Sequence, residues 1–219
     1  MKDIANIAIN YPAIFIKKSE DSAGGHGVVY FDSSKGKDAL IEILTGIDYN
    51  VVVQSGIIQH ESMNRLNSSS VNTIRFLSHL TCDGRVIIRS SVVRMGRNGA
   101  HVDNASSGGI TVGINNDGRL KNVAYDVNGN RYFTHPDSQT KFSDITIPNY
   151  IDIIQDINLL QWQLPQFRLL SWDIAIDESG HPIIIEVNMY SGQLDFHQLN
   201  NGPVFGEDTE AVLNEVFKR

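Results

Sequence analysis

Three times in this chain, two runs of β-branched and aromatic residues are separated only by a short polar turn. "NTIRFLSHL" (72–80) and "RVIIRSSVVRM" (85–95) meet at "TCDG". "GITVGIN" (109–115) and "LKNVAYDV" (120–127) meet across "NDG", and "LLSWDIAID" (169–177) and "HPIIIEVN" (181–188) meet around "ESGH". Turns this short join antiparallel neighbours, because a parallel crossover takes a dozen or more residues. These six runs are thereby committed to antiparallel sheet. Upstream, "AIFIKK" (13–18), the loop "SEDSAGGHG" (19–27) and "VVYF" (28–31) read as strand, loop and returning strand, and "NVVVQSGIIQH" (50–60) as a strand running into a linker. Helical spacing appears in "KDALIEILTG" (37–46), in "PNYIDIIQDINLLQW" (148–162) and in "EDTEAVLNEVFK" (207–218). A small strand-rich segment followed by a larger antiparallel one with helices is an α+β pattern.

A length of 219 residues allows one large domain or two small subdomains. A net charge of -7 argues against nucleic acid or an anionic membrane surface as the main partner. The single cysteine, Cys82, excludes an internal disulfide framework and fits a reducing compartment. The N-terminal stretch carries Asn10 and Pro12 and reads as neither a signal peptide nor a membrane span, so the expected location is the cytoplasm. "LNSSSVN" (66–72) and "NASSGG" (104–109) read as loops.

Several groups of residues could carry chemistry. Lys17 precedes a loop holding Gly24, Gly25 and Gly27, where bare backbone N–H groups can approach phosphate oxygens. The same residues also suit a plain hairpin loop. Arg75 and Arg94 sit among β-branched strand residues and need an anion if they face inward. Asp103 and Asn104 precede Gly108 and Gly109 in a stretch that reads equally as a turn or a substrate-facing loop. In "IIIEVN", Glu186 and Asn188 are two apart and project to one face of their strand. Pairing symmetric about residues 179–180 sets Asp173 opposite Glu186. Two carboxylates side by side on a sheet face are costly without a cation, and three hard oxygen ligands suit Mg²⁺. The scattered histidines His60, His101, His135 and His197 have no metal-ligand spacing.

In this order the pieces resemble the sugar-transfer-associated ATP-grasp family. The stretches similar to that family are "SSSVNTIRFLS", "RMGRNGAHVDNASSGGI", "HPDSQTKF", "IPNY", "SWDIAID", "IIIEVN" and "HQLNNGPVFGE", and the resemblance runs from about Ile14 to Gly206. It implies an ATP-grasp fold of two subdomains, each an antiparallel sheet with helices, with the nucleotide site between them. The expected division is 1–56 for the small subdomain with the Gly-rich phosphate loop and 57–219 for the large one with the metal and substrate site. The resemblance assigns Lys17, Ser22, Gly24, Gly25 and Gly27 to the ATP phosphates. It makes "VVVQSGII" (51–58), with Gln54, Ser55 and Ile57, the hinge that takes adenine. Arg75 and Arg94 become the catalytic arginines, and Asp173, Glu186 and Asn188 the Mg²⁺ ligands. Asp103, Asn104, Gly108 and Gly109 line the acceptor side.

The implied activity is that of an ATP- and Mg²⁺-dependent ligase. It activates a carboxylate as an acyl phosphate for attack by an amine or similar nucleophile, in small-molecule or cell-surface polysaccharide biosynthesis. A non-catalytic nucleotide-binding module or subunit, and kinase-like phosphate transfer, are the competing readings. Three departures from the family pattern bear on the choice. Lys18 stands where a proline usually follows the lysine, leaving Lys17 and Lys18 both able to reach phosphate. Ser55 stands where a glutamate commonly follows the hinge glutamine. The usual pre-ATP-grasp segment is expected to be absent: either the sequence is a piece of a longer chain, or a partner chain or second copy completes the site, or the protein does not complete the reaction alone.

Overall fold

The computed structural model describes residues 2–20, 27–100, 108–190 and 192–217. The chain divides into two compact units, Met1–Ile58 and Gln59–Arg219. The fold is mixed α and β, and every strand pair is antiparallel.

In the first unit, α1 (Lys2–Ala8) leads into β1 (Ala13–Lys18), β2 (Val28–Asp32), α2 (Lys37–Gly46) and β3 (Val51–Ser55). The strands form one sheet in the order β2-β1-β3. Ile14, Ile16 and Phe31 on one face pack with Ala5 and Ala8 of α1 and Leu40 and Leu44 of α2, forming a closed core. On β1, Ala13, Phe15 and Lys17 alternate to the other face. There Phe15 lies opposite Tyr30, the two rings edge-to-face with centroids 5.5 Å apart. The 13–18 strand and the 37–46 helix fall where the sequence patterns put them. The α1 helix is an addition. Its buried residues are two alanines, too small to mark an apolar stripe.

In the second unit, α3 (Glu61–Leu66) precedes β4 (Thr73–Leu80) and β5 (Val86–Met95), followed by β6 (Ile110–Ile114), β7 (Leu120–Tyr125) and β8 (Arg131–Tyr132). Then come α4 (Tyr150–Gln161), β9 (Leu169–Ile176), β10 (Pro182–Asn188), α5 (Leu194–Asn201) and α6 (Thr209–Phe217). Seven strands form a sheet in the order β10-β9-β4-β5-β6-β7-β8, so the three hairpins legible in sequence are its building blocks. One face carries Ile74, Phe76, Val93, Val112, Trp172 and Ile174, packed against Ile153 and Ile157 of α4 and Met63 and Leu66 of α3. A buried polar chain ties α4 to this face. The Trp172 indole donates to Ser78 Oγ at 2.7 Å, that hydroxyl donates to Gln161 Oε1 at 2.5 Å, and Gln161 Nε2 donates to the Phe167 carbonyl at 2.8 Å.

The other face holds Thr73, Arg75, Leu77 and His79 of β4, and it is where the candidate site lies. Two features position it. First, the Ser/Asn stretch before β4 is pinned rather than loose. Gln59 Nε2 donates to the carbonyls of Asn67 and Ser70, its Oε1 accepts from the Asn72 backbone and side-chain amides, and Asn72 Nδ2 also donates to the Met63 and Asn67 carbonyls. Second, β10 carries a bulge. Pro182, Ile183 and Ile184 pair with Ile176, Ala175 and Ile174, whereas Glu186, Val187 and Asn188 pair with Asp173, Trp172 and Ser171, the register shifting between Ile184 and Glu186. This strand lies at the sheet edge, and Ile183 and Ile184 remain 37% and 43% exposed, so its β-branched run is not the buried core its composition suggests.

Candidate functional site

Arg75, Arg94 and Asp173 come from three adjacent strands and are each buried. Arg75 lies directly opposite Asp173 across β4 and β9. Its Nε donates to Asp173 Oδ1 at 2.6 Å, and its Nη2 donates to Oδ2 in a two-pronged pair. Arg94 Nη1 donates to the same Oδ2 at 3.0 Å. The anion that a buried Arg75 requires is therefore Asp173, and one carboxylate orients both guanidiniums. Burial pushes the Asp173 pKa up, but the Arg75 hydrogen bonds and the Arg94 and Arg75 charges more than offset it and leave it below the ordinary value.

Glu186 sits beside this trio, 3.9 Å from Arg75 Nη2, and is far more open to solvent. Burial and its hydrogen bond with Asp173 raise its pKa, against the opposing effects of Asn188 and the Arg75 charge. Asn188 Nδ2 donates to Glu186 Oε1 at 3.1 Å. Thus Asp173, Glu186 and Asn188 stand on one face, as the parity of "IIIEVN" and the strand pairing predict, although the bulge supplies the register. Glu186 and Asn188 fit a hard dication: such an ion would relieve the burial and the neighbouring carboxylate that raise the Glu186 pKa, and the amide adds a second oxygen. Asp173 differs from them, since both its oxygens accept from arginine. Among the described residues no group of three or more His, Cys, Asp or Glu side chains could hold a metal, so the amide of Asn188 is needed to make up the donor set.

The residues assigned to nucleotide are on the first unit. Lys17 pairs with Val28 and Val52, on the face of β1 that the helices do not cover. Lys18 falls on the opposite face by parity, with its ammonium 5.8 Å from the Tyr49 ring centroid. Gly27 has a positive φ of 76°, and its carbonyl accepts from the Lys18 amide at 3.3 Å. Gln54 and Ser55 end β3 exposed, and Ile57 follows half-buried. Gly56 is wedged against Ala13, where a Cβ would come within 3.2 Å of that side chain. Ser22, Gly24 and Gly25, and likewise Asp103 and Asn104, lie outside the described residues. Gly108 also has a positive φ, and its carbonyl accepts from Arg97 Nε; Gly109 is buried.

Residues 1–214 match the family model described as sugar-transfer associated ATP-grasp. The chain belongs to that family. The fold agrees with solved ATP-grasp structures. D-alanyl-alanine synthetase A from Vibrio cholerae O1 biovar eltor str. N16961 is similar with a TM-score of 0.55 and 14% identity, over 99% of this chain and 55% of that one. An ADP complex of N5-carboxyaminoimidazole ribonucleotide synthetase gives a TM-score of 0.51 and 12% identity, over 86% of this chain and 37% of that one. The chain thus spans 37% and 55% of the lengths of these two, and at such identities the likeness is one of fold. The comparison with curated proteins gives no match.

This ATP-grasp chain also builds its site from Gln193 and Phe196, to which sequence reasoning assigned no role, and from His197, which it read as no metal ligand. Gln193, at a positive φ of 49°, accepts from Arg75 Nη1 at 2.7 Å through its Oε1. The Phe196 ring lies 5.7 Å from the Arg75 guanidinium carbon. His197 is fully buried, its Nδ1 2.8 Å from Ser90 Oγ, and burial followed by the charge of Arg75 lowers its pKa to about 3, so the ring is neutral. All three belong to α5 or its approach, a helix whose buried face is Phe196, His197 and Asn200. A helix that buries polar residues shows no apolar period. The "HQLNNGPVFGE" stretch reaches only His197 of the three, since it begins there.

Proposed function

We propose that the chain is an ATP- and Mg²⁺-dependent ligase that activates a carboxylate as an acyl phosphate for attack by an amine or similar nucleophile. The observation that carries this reading is the shared orientation of Arg75 and Arg94 by Asp173, immediately beside Glu186 and Asn188. In the first step a carboxylate oxygen of the substrate forms a bond to the γ-phosphorus as the bond to the β,γ-bridging oxygen breaks, releasing ADP. In the second the nucleophile attacks the acyl carbon, inorganic phosphate leaves, and the nucleophile's proton passes to solvent or phosphate. Catalysis of this kind rests on positioning and on neutralising moving charge. Arg75 and Arg94 are held rigid for that task, so their charge meets the transferring phosphoryl group without reorganisation. Glu186 and Asn188 would hold Mg²⁺, which when bound neutralises charge on the phosphates. Lys17, the Gly-rich loop and Gln54 to Ile57 are assigned to the nucleotide, and the acceptor to the 103–109 stretch. A role in small-molecule or cell-surface polysaccharide biosynthesis is part of the same proposal.

Nucleotide binding without chemistry has one observation in its favour: both oxygens of Asp173 are already taken by arginines. Trapping separates the two readings. With ATP, Mg²⁺ and a panel of carboxylic acids, hydroxylamine should capture a hydroxamate from one of them. Substitution Glu186→Gln should remove hydroxamate formation while leaving the circular dichroism spectrum unchanged. ADP formation unaltered by Glu186→Gln would take Glu186 out of the reaction.

A further inference from the structure

The seven-stranded sheet opens on one side of β5. That strand pairs with β6 only from Val92 to Met95, the last pair being Val92 with Gly113. Residues 88–91 and 114–116 therefore diverge, leaving a cavity of about 450 Å³. The Asn201 amide closes its floor: Nδ2 donates to Ser90 Oγ at 2.8 Å and to the Ser91 carbonyl at 3.0 Å, replacing the missing strand partner. Tyr150 OH, 2.7 Å from Ser91 Oγ, closes the other side.

The lining combines cationic and polar side chains with Ile88, Ile114 and Ile154. Arg89 and Lys121 both line the cavity, with Asn115, Asn116 and the hydroxyls of Ser90 and Ser91. No carboxylate among the described residues lines it, in a chain whose net charge is -7. The neighbouring acid, Asp117, is paired with Arg119 at 3.6 Å. Arg89 is already anchored to Asp208 at 2.6 Å. Among the described residues Lys121 has no such carboxylate partner. Its Nζ donates to the Asn200 carbonyl at 3.0 Å, and burial lowers its pKa, a cost that a bound anion would reverse. Amides and hydroxyls around a half-buried ammonium can donate and accept at once, which matches an anion flanked by hydroxyl groups.

We propose that this notch is a second binding site, separate from the arginine site, for a small hydroxylated anion whose phosphate or carboxylate is received by Lys121. Gly113 is part of its construction. A Cβ there would collide with Asn201 Oδ1 and stand 2.9 Å from Lys121 Cδ, displacing both lining side chains.

The test is a ¹H–¹⁵N titration of the whole chain with glycerol 3-phosphate, glycerate, inorganic phosphate and glycerol. The two hydroxylated anions should give saturable shifts of the Gly113, Asn115, Asn116 and Lys121 amides, and inorganic phosphate and glycerol should bind more weakly. Lys121→Met should weaken binding about tenfold, as expected for loss of one charge-assisted hydrogen bond. Lys121→Arg should retain it, and Gly113→Ala should weaken it with the lysine still present. The exposed Arg119→Gln is the control, with affinity unchanged. Absence of saturable shifts, equal binding of glycerol 3-phosphate and inorganic phosphate, or undiminished affinity in a folded Lys121→Met or Gly113→Ala chain would each overturn the proposal.

Discussion

Asp173 is the residue on which the arginine site turns. It receives hydrogen bonds from Arg75 and Arg94 at 3% exposure, so Asp173→Asn leaves two buried guanidiniums without their carboxylate. Removing one member of a buried ionic group typically costs about 3–5 kcal/mol, and a loss of that order should appear in urea unfolding. The pH dependence has a definite sign. The folded-state pKa of Asp173 lies below its ordinary 3.8, so its contribution is complete above that value and is lost as pH falls through the depressed one. The wild-type curve should drop steeply in that acid range, and the Asp173→Asn curve should be flatter there. A substitution that leaves both stability and its acid dependence unaltered would show that the arginines are held by something else. At this scale the sequence was informative where strand parity governs. Arg75 among β-branched residues called for an anion, and pairing symmetric about residues 179–180 set Asp173 opposite Glu186, a pairing the ladder reaches only through the bulge between Ile184 and Glu186. It was silent about Gln193 and Phe196, because their contacts with Arg75 depend on where α5 docks.

The elements show why some patterns were legible and others hidden. The hairpins were visible because turn chemistry and strand composition agree at each of them. The α4 helix was visible from the spacing of Ile151, Ile154 and Ile157, and it runs Tyr150–Gln161 within the expected 148–162, although the face it buries is Tyr150, Ile153, Ile157 and Gln161 and Ile151 stays exposed. By contrast α3 has six residues and β8 has two, so neither carries a clear period, whereas α6 was legible as a helix although it buries no residue. What anchors α4 is polar. Ser78 Oγ accepts from Trp172 and donates to Gln161, all in the buried layer. Ser78→Ala strands both partners and should destabilise the chain by about 1–3 kcal/mol, although only one oxygen is lost. Ser78→Cys keeps the volume and a weak donor and should cost less. Equal stability of Ser78→Ala and wild type by chemical denaturation would mean that the chain is not supporting α4.

The whole molecule is organised around two separate apolar cores, one in Met1–Ile58 and one in Gln59–Arg219. Leu44 is fully buried in the first. Leu44→Ala should cost about 2–5 kcal/mol locally. Native-state hydrogen exchange should then quicken at β1 to β3 and stay unchanged at β4 and β9. Uniform acceleration across all strands would show that the two cores unfold together. Family membership, fold class and the antiparallel plan were all within reach of sequence, since they rest on many short stretches in order. Specificity was not, because it depends on which loops converge. Among the described residues no helix is long and apolar enough to cross a membrane.

The bulge in β10 makes the length of that stretch meaningful in its own right. Residues opposite one another in an antiparallel ladder share a face. Ile184 stands opposite Ile174, on the apolar side, yet Glu186 only two residues later stands opposite Asp173, on the arginine side. The additional residue acts as a phase change. Were the earlier register continued, Glu186 would fall opposite Trp172 and be turned into the apolar layer, taking Asn188 with it. Deleting Ile185 would leave the glutamate next to Ile184 and, in the register that Ile184 sets, still opposite Asp173; pairing Ile185 into an unbulged ladder is what would erase the site while leaving every named donor in the chain.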